Sequence, residues 1–283
     1  MTIAKVGVLG AGTMGAGIAQ ICAEAGLSVV LVDLSDELVQ KGYKGIIKNW
    51  EKAQSKGKKT AEDVAAYQQL LSCNTDNQVF KDCDIVIEAI VENISVKQKV
   101  FKELDGICPP EAILASNTSA LSVTEIASAT ARPDKVIGMH FFNPVPAMKL
   151  VEVIPGVETA PEVVAAVVEL SVKIGKEPVP IKESPGFIVN RILIPYINEA
   201  ATLWQEGVAS AEEIDKAMKL GANMPMGPLA LADLIGIDVC LMIMTYFWNE
   251  FGDSKYRPAL SLKQKLRAGH LGRKSGKGFF DYN

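Results

Sequence analysis

The chain has 283 residues, enough for one large or two ordinary domains, and its 48% hydrophobic content fits a globular protein with a sizeable core. Its 29 basic and 33 acidic residues leave a formal net charge of −4 with no dominant basic block, which argues against nucleic acid as the main partner. No apolar run approaches the ~20 residues of a membrane span, and the N-terminal residues read as a strand rather than a secretory leader, so no membrane partner is expected.

The first predicted element is a strand, Ile3-Ala4-Lys5-Val6-Gly7-Val8-Leu9, followed at once by Gly10-Ala11-Gly12-Thr13-Met14-Gly15 and a helix-like stretch from Ala16 to Ala25 closed by Gly26. This is G-x-G-x-x-G in the strand–turn–helix setting that gives the pattern meaning. Gly10 permits the tight turn, Gly12 lets the backbone approach a pyrophosphate, and Gly15 allows helix and strand to pack closely. A second strand, Ser28–Val32, ends at Asp33, about twenty residues on, where an acid bonds the adenosine ribose of NAD and repels the 2′-phosphate of NADP. NAD is the expected cofactor.

A long helix is predicted after Asp33, crowded with Lys41, Lys44, Lys48, Lys52, Lys56, Lys58 and Lys59. Lys44, Lys48, Lys52 and Lys56 recur every four residues, roughly one face. Two readings stay open: a solvated face, or a landing surface for a polyphosphate such as the 3′-phospho-ADP of coenzyme A.

Two further buried parallel strands are predicted at Asp84–Ile90 and Ala112–Ala115, the latter ending in Ser116-Asn117-Thr118-Ser119. Open α/β sheets bind ligands beyond the carboxyl ends of their strands, which puts Asp33, Glu92, Asn117, Ser119 and His140 on one rim. Ser122, before Val123–Ala129, reads as a helix cap.

His140 is one of only two histidines. It ends the strand-like run Val136–Met139, and the run Lys149–Ile154 follows Phe141-Phe142-Asn143-Pro144-Val145-Pro146. If the two runs fold back about Pro146, His140 and Glu152 lie equally far from the turn and can meet. A carboxylate on one ring nitrogen fixes the tautomer and leaves the other to exchange a proton with a substrate. A buried, hydrogen-bonded histidine in a hairpin is the plainer alternative.

After the strand Glu177–Ile181 the pattern becomes helical, over Ile188–Gln205, Ala211–Lys219, Pro228–Phe251 and Ser261–Ala268, with Pro185 expected in a first helical turn and a bend at Pro195. The expected organisation is a Rossmann-type α/β domain over residues 1–183 and an all-helical domain over 184–283. Asn190 either bonds a substrate oxygen or is satisfied locally. The apolar stretch Leu229–Phe247 fits a buried helix or a subunit interface. Cys22, Cys73, Cys83, Cys108 and Cys240 show no metal-ligand spacing; no metal is expected, and the thiols read as reduced in a cytoplasmic protein.

With these residues assembled, the chain resembles the short-chain 3-hydroxyacyl-CoA dehydrogenase family, most of all its bacterial 3-hydroxybutyryl-CoA branch, over nearly its whole length. The likeness rests on Gly10–Gly15 with Asp33, Glu88–Asn93, Ser116–Ser119, His140–Pro146, Lys149–Val153, Pro185–Arg191, Met226-Gly227-Pro228 and Lys274–Phe279. It implies NAD-dependent, reversible reduction of acetoacetyl-CoA to (S)-3-hydroxybutyryl-CoA, with His140 as general acid/base and Glu152 as its partner. Ser119 and Asn190 are implied to hold the C3 oxygen and the thioester end. Gly10, Gly12, Gly15, Asp33, Glu92, Lys97, Asn117, Ser119, Asn143 and Lys274 match positions around NAD. Asn49, Lys52 and Lys56 fall near the coenzyme A contacts, although Asn49 departs from the hydroxyl residue expected of animal relatives. A homodimer through the helical domain is implied, and the direction, butyrate-type fermentation or β-oxidation, stays open. The rivals are a dehydrogenase of another 3-hydroxy acid, carnitine or a sugar acid, and an NAD-binding scaffold without turnover. The lysine-rich helix favours a CoA ester over the first, and the intact Ser119, His140, Glu152 and Asn190 set speaks against the second.

Overall fold

The computed structural model describes residues 2–282, and the chain divides into two compact units at Ser184/Pro185. The N-terminal unit is built on strands β1 (Lys5–Leu9), β2 (Ser28–Val32), β3 (Leu71–Asn74), β4 (Ile85–Glu88), β5 (Ile113–Ser116), β6 (Val136–Phe141), β7 (Leu150–Pro155) and β8 (Glu177–Pro180). Helices α1 (Thr13–Glu24), α2 (Asp36–Ser55), α3 (Ala61–Leu70), α4 (Ile94–Ile107), α5 (Val123–Ala127) and α6 (Pro161–Lys173) connect them.

The strands form one sheet in the order β3-β2-β1-β4-β5-β6-β7-β8. β7 runs antiparallel to β6 and every other neighbouring pair is parallel. Strands β4, β5 and β6 are buried along their whole length, as expected of strands covered on both faces. Valine and isoleucine side chains of the sheet interlock with Ile18, Ile46 and Trp50 in one contiguous core.

Glycine governs two close approaches. A Cβ on Gly15 would lie 1.7 Å from the Gly10 carbonyl oxygen, so α1 can leave β1 this tightly only without one. A Cβ on Gly42 would meet the Ala11 carbonyl oxygen at 2.5 Å, so the same economy lets α2 lie on the glycine loop. α2 buries Val39, Gly42, Ile46 and Trp50 on one stripe and leaves Lys41, Lys44, Lys48 and Lys52 exposed on the rest. The lysine-rich helix is shorter than predicted. It stops at Ser55, Lys56 is its cap, and Lys59 turns inward, its ammonium 3.1 Å from Glu24 and 3.2 Å from the Tyr67 hydroxyl.

The C-terminal unit contains α7 (Val189–Gln205), α8 (Ala211–Gly221), α9 (Pro228–Ile235), α10 (Ile237–Phe251) and α11 (Leu260–Arg267). Pro185 does not open a helix. Residues 185–188 form a turn in which Gly186 and Phe187 have φ of +73° and +56°, values a right-handed helix excludes, and α7 begins only at Val189. The turn is held by packing, since a Cβ on Gly186 would meet the Phe247 ring at 2.2 Å. α7 continues past Pro195.

The single helix predicted over Pro228–Phe251 is two, bent by 97° at Gly236, whose φ of +108° no helix accommodates. Among the described residues no single helix is long and apolar enough to cross a membrane, although this bent pair is so in length and composition. Asp233, buried in α9, accepts hydrogen bonds from the Phe279 and Phe280 amides, each 2.9 Å, and from the Tyr282 hydroxyl at 3.1 Å, pinning the C-terminal segment to the unit.

Candidate active site

Beyond the carboxyl end of β1, the turn Gly10–Gly12 delivers the chain into α1. Gly10 has φ +105°, and a Cβ there would strike the Ala89 carbonyl oxygen at 2.5 Å. Gly12 is the N-cap of α1; no side chain caps this helix, no acid occupies its first turn, and a Cβ on Gly12 would meet nothing within 4 Å. This bare, positively polarised helix start therefore opens on space, the arrangement a phosphate needs. Asp33 closes β2 and is anchored from both sides, Oδ2 accepting from the Ala11 amide at 2.6 Å and Oδ1 from the Leu34 amide at 2.7 Å. Its remaining lone pairs can take ribose hydroxyls.

A cavity of about 580 Å³ adjoins these groups. Ala11, Gly12, Thr13 and Asp33 line one part of it, Lys41, Lys48 and Asn49 of α2 another, and Asn143–Pro146 a third. Asn49 donates to the Gln20 Oε1 at 3.0 Å, which ties α2 to α1. Lys52 and Lys56 are exposed on the same helix but do not line the cavity, whereas Lys41, absent from the expected site residues, does. A signal for it is present in the spacing: Lys41 and Lys48 share a helix face at i and i+7.

On the same rim, β6 and β7 pair so that His140 stands directly opposite Glu152. His140 Nδ1 and Glu152 Oε2 are 2.6 Å apart, both residues are buried, and the Phe142 ring lies 4.3 Å from the imidazole. A carboxylate on Nδ1 directs the proton chemistry of the ring to Nε2.

The ends of β4 and β5 carry a polar network around a buried lysine. Lys97 of α4 is 0% exposed; its ammonium lies 2.6 Å from Glu88 Oε1 and 3.4 Å from Glu92 Oε2. Glu88 also accepts from Ser116 Oγ and the Ile90 amide, each at 2.7 Å. Glu92 Oε1 accepts from Thr118 Oγ1 and the Ser119 amide, each at 2.7 Å, and from Ser119 Oγ at 3.0 Å. Burial opposes the charge on Glu92, but the Lys97 ammonium and the bonds from Thr118 and Ser119 outweigh it, so its carboxyl is held below the usual glutamate range.

Lys97, expected beside NAD, is thus engaged by two carboxylates in the protein interior. Asn117 likewise has a structural bond, its Oδ1 accepting from the Phe141 amide at 2.8 Å, which braces the end of β6 beside His140. Ser122 caps α5 as expected, accepting from the Glu125 amide at 3.1 Å. Asn190 lies in the first turn of α7, and Lys274 pairs with Asp238 at 2.6 Å, both within the C-terminal unit.

Sequence reasoning did not assign Glu88 a role, although a charged residue closing an otherwise apolar strand, as Asp33 follows β2, was a usable signal. Burial pushes the thiols of Cys22, Cys83 and Cys240 up to about 12 and that of Cys108 to about 11, so none of these is a ready thiolate nucleophile. Among the described residues no group of three or more His, Cys, Asp or Glu side chains is placed to hold a metal ion.

A glycine loop at the first strand–helix junction, an acid closing the second strand and a buried histidine–carboxylate pair on the same rim define a nicotinamide-dependent dehydrogenase of the Rossmann class. Residues 5–184 match the NAD binding domain of 3-hydroxyacyl-CoA dehydrogenase, and residues 186–282 match its C-terminal domain. The chain belongs to the 3-hydroxyacyl-CoA dehydrogenase family, oxidoreductases acting on a CH–OH donor. It is 54% identical over 279 residues to a 3-hydroxybutyryl-CoA dehydrogenase of Clostridioides difficile, covering 99% of each chain. To the human mitochondrial hydroxyacyl-coenzyme A dehydrogenase it is 44% identical over 290 residues, covering 99% of this chain and 91% of that one. The crystal structure of (S)-3-hydroxybutyryl-CoA dehydrogenase from Ralstonia eutropha superposes with a TM-score of 0.97 at 51% identity, covering all of both chains.

Proposed function

We propose that this chain reduces acetoacetyl-CoA to (S)-3-hydroxybutyryl-CoA with NADH, reversibly, and that His140 is its general acid and base. The observation that carries this reading is the 2.6 Å His140–Glu152 contact, buried on the rim where the glycine loop and Asp33 stand. Gly10, Gly12 and Gly15 shape the pyrophosphate cradle, and Asp33 takes the adenosine ribose. The nicotinamide, when bound, supplies or accepts the hydride at C3.

In reduction, His140 Nε2–H gives its proton to the C3 oxygen as charge develops there. In oxidation, Nε2 takes the hydroxyl proton back. Glu152 holds the ring through Nδ1 in both directions and offsets the imidazolium charge. Ser119 orients the C3 oxygen. Its hydroxyl donates to Glu92 and turns to donate to the C3 oxygen of ketone or alcohol, whose one exchangeable proton is the one His140 carries. Glu92 and Lys97 keep Ser119 in place, and Asn117 and Asn143 belong to the cofactor side of the rim. Lys48, Asn49, Lys52 and Lys56 face the phosphates of coenzyme A. The roles of Asn190 toward substrate and of Lys274 toward cofactor rest on the family motif alone. The dimer through the helical unit is supported by the apolar side chains Leu234 and Met242, 49% and 42% exposed in one chain. A cytoplasmic setting is supported by five unpaired cysteines.

Loss of NADH absorbance on adding acetoacetyl-CoA tests the activity, with the 3-keto forms of carnitine and of sugar acids as controls. His140→Ala is expected to lower kcat by about 10²–10⁴-fold with little change in NADH affinity. Undiminished turnover by a folded His140→Ala enzyme removes His140 from the mechanism.

A further inference from the structure

The connection between β6 and β7, residues 142–149, carries Asn143–Pro146 into the wall of the cavity immediately after His140. It has little secondary structure of its own: the Ala147 and Met148 amides bond back to the Pro144 carbonyl, each at 3.0 Å. Two external contacts fix its middle. Val145, 2% exposed, packs on Gly17 of α1, where a Cβ would come within 2.8 Å of its own. From the other side comes Lys176, only 6% exposed, whose ammonium donates to the carbonyl oxygens of Val145 and Met148, the latter at 2.8 Å.

The placement of Lys176 is encoded locally. Gly175 takes φ +75°, its amide bonds the Val172 carbonyl, and the Lys176 amide bonds the Ser171 carbonyl. This double closure ends α6 and fixes the backbone of the residue after the glycine. β8 then starts at Glu177, whose amide bonds the Lys149 carbonyl at the far end of the same connection. The backbone before and after Lys176 is thus held, and its side chain has one course, beneath the loop. A buried ammonium is costly unless its donors are used, and here two of its three are used on main-chain carbonyls. Its burial is therefore tied to the loop; that burial above all, and the Lys149 charge nearby, work against its charged form, while Glu24 works for it.

We propose that Lys176 is a positioning residue for the cofactor cavity: its ammonium sets the β6–β7 connection so that Asn143–Pro146 form the wall facing a bound dinucleotide. It touches neither substrate nor cofactor. The inference rests on the NADH-dependent reading above. His140 is held separately, by the β6–β7 ladder and Glu152, so loss of Lys176 acts on binding before it acts on proton transfer.

The test uses the full-length enzyme. NADH dissociation constants are measured by fluorescence, and KM and kcat with acetoacetyl-CoA, for wild type, Lys176→Met and Lys176→Arg. Met keeps the length and removes the donors, leaving two carbonyls unsatisfied. Its Kd and KM for NADH are expected to rise about tenfold while kcat at saturation changes by less than about twofold. Arg, which restores the donors and the charge, recovers at least part of the loss. A residue serving only general stability lowers the melting temperature and the active fraction, hence kcat, and leaves KM alone. Lys176→Met with wild-type Kd and KM, or with a fall confined to kcat, or an equal loss in both variants, overturns the proposal. Should wild type bind NADH without reducing acetoacetyl-CoA, the substrate reading fails, and the Kd comparison still decides the role of Lys176.

Discussion

Glu92 is the side chain whose chemistry its neighbours alter in a way that stability measurements can read. Its carboxyl is held below the usual range in the folded chain, so its contribution to stability is present above the ordinary glutamate value, about 4.3. That contribution is lost as pH falls through the lowered folded value. Glu92→Gln is therefore expected to cost about 1–3 kcal/mol near neutrality, since the charged acceptor for Thr118 and Ser119 and the partner of Lys97 are lost together. The gap between the two melting temperatures should narrow at a pH below the ordinary glutamate value, as wild type begins to lose the same charge. Calorimetry at both pH values checks this, and a gap that stays constant means that the charge is not what Glu92 contributes. The His140–Glu152 pair was legible beforehand because antiparallel pairing about a turn is arithmetic on residue numbers. The burial of Lys97 was not. Sequence spacing gives the face of α4 on which it sits, but the carboxylates that receive it arrive from β4 and the loop after it, and only the sheet order brings them there.

Among the elements, α2 shows most plainly how composition and packing divide one helix. Its buried stripe of Val39, Gly42, Ile46 and Trp50 was recoverable from periodicity, and so was its exposed lysine face. Which lysines line the cavity depended on Gly42, whose lack of a side chain draws the helix onto Ala11 and brings Lys41 and Lys48 there. A Lys52→Glu/Lys56→Glu double change is expected to raise KM for acetoacetyl-CoA about fivefold at low salt, because exposed charges act weakly one at a time but reversal of two adds repulsion. The effect should shrink as salt rises past a Debye length of about 10 Å, while the KM for NADH holds. An unchanged KM for acetoacetyl-CoA at low salt identifies these two as a solvated face. The one helix misjudged in kind was Pro228–Phe251. Hydrophobic periodicity runs straight through Gly236, and a lone glycine in an apolar run is tolerated in many helices, so the sequence held no sign of its φ of +108°.

For the molecule as a whole, the dimer proposed through the helical unit predicts a light-scattering mass twice the 30.4 kDa of one chain, independent of NADH. A mass of one chain at micromolar concentration would remove that assignment while leaving the catalytic reading intact. The class of fold was readable at this scale because strand, glycine loop, helix and acid come in a fixed order near the N-terminus. The antiparallel insertion of β7, by contrast, was legible only through the His140 hairpin, and the final strand beside it carries a consequence for how copies of this chain meet. In β8 the amides of Glu177 and Ile181 point inward to β7, bonding Lys149 and Val153, so residues 178 and 180 direct their nitrogens outward, and both are proline. The outer margin of the sheet therefore offers carbonyls without the matching N–H groups, and a further strand laid against it finds half of its ladder missing. A sheet finished in this way resists being extended by a neighbouring molecule, in the crowded cell as in the test tube.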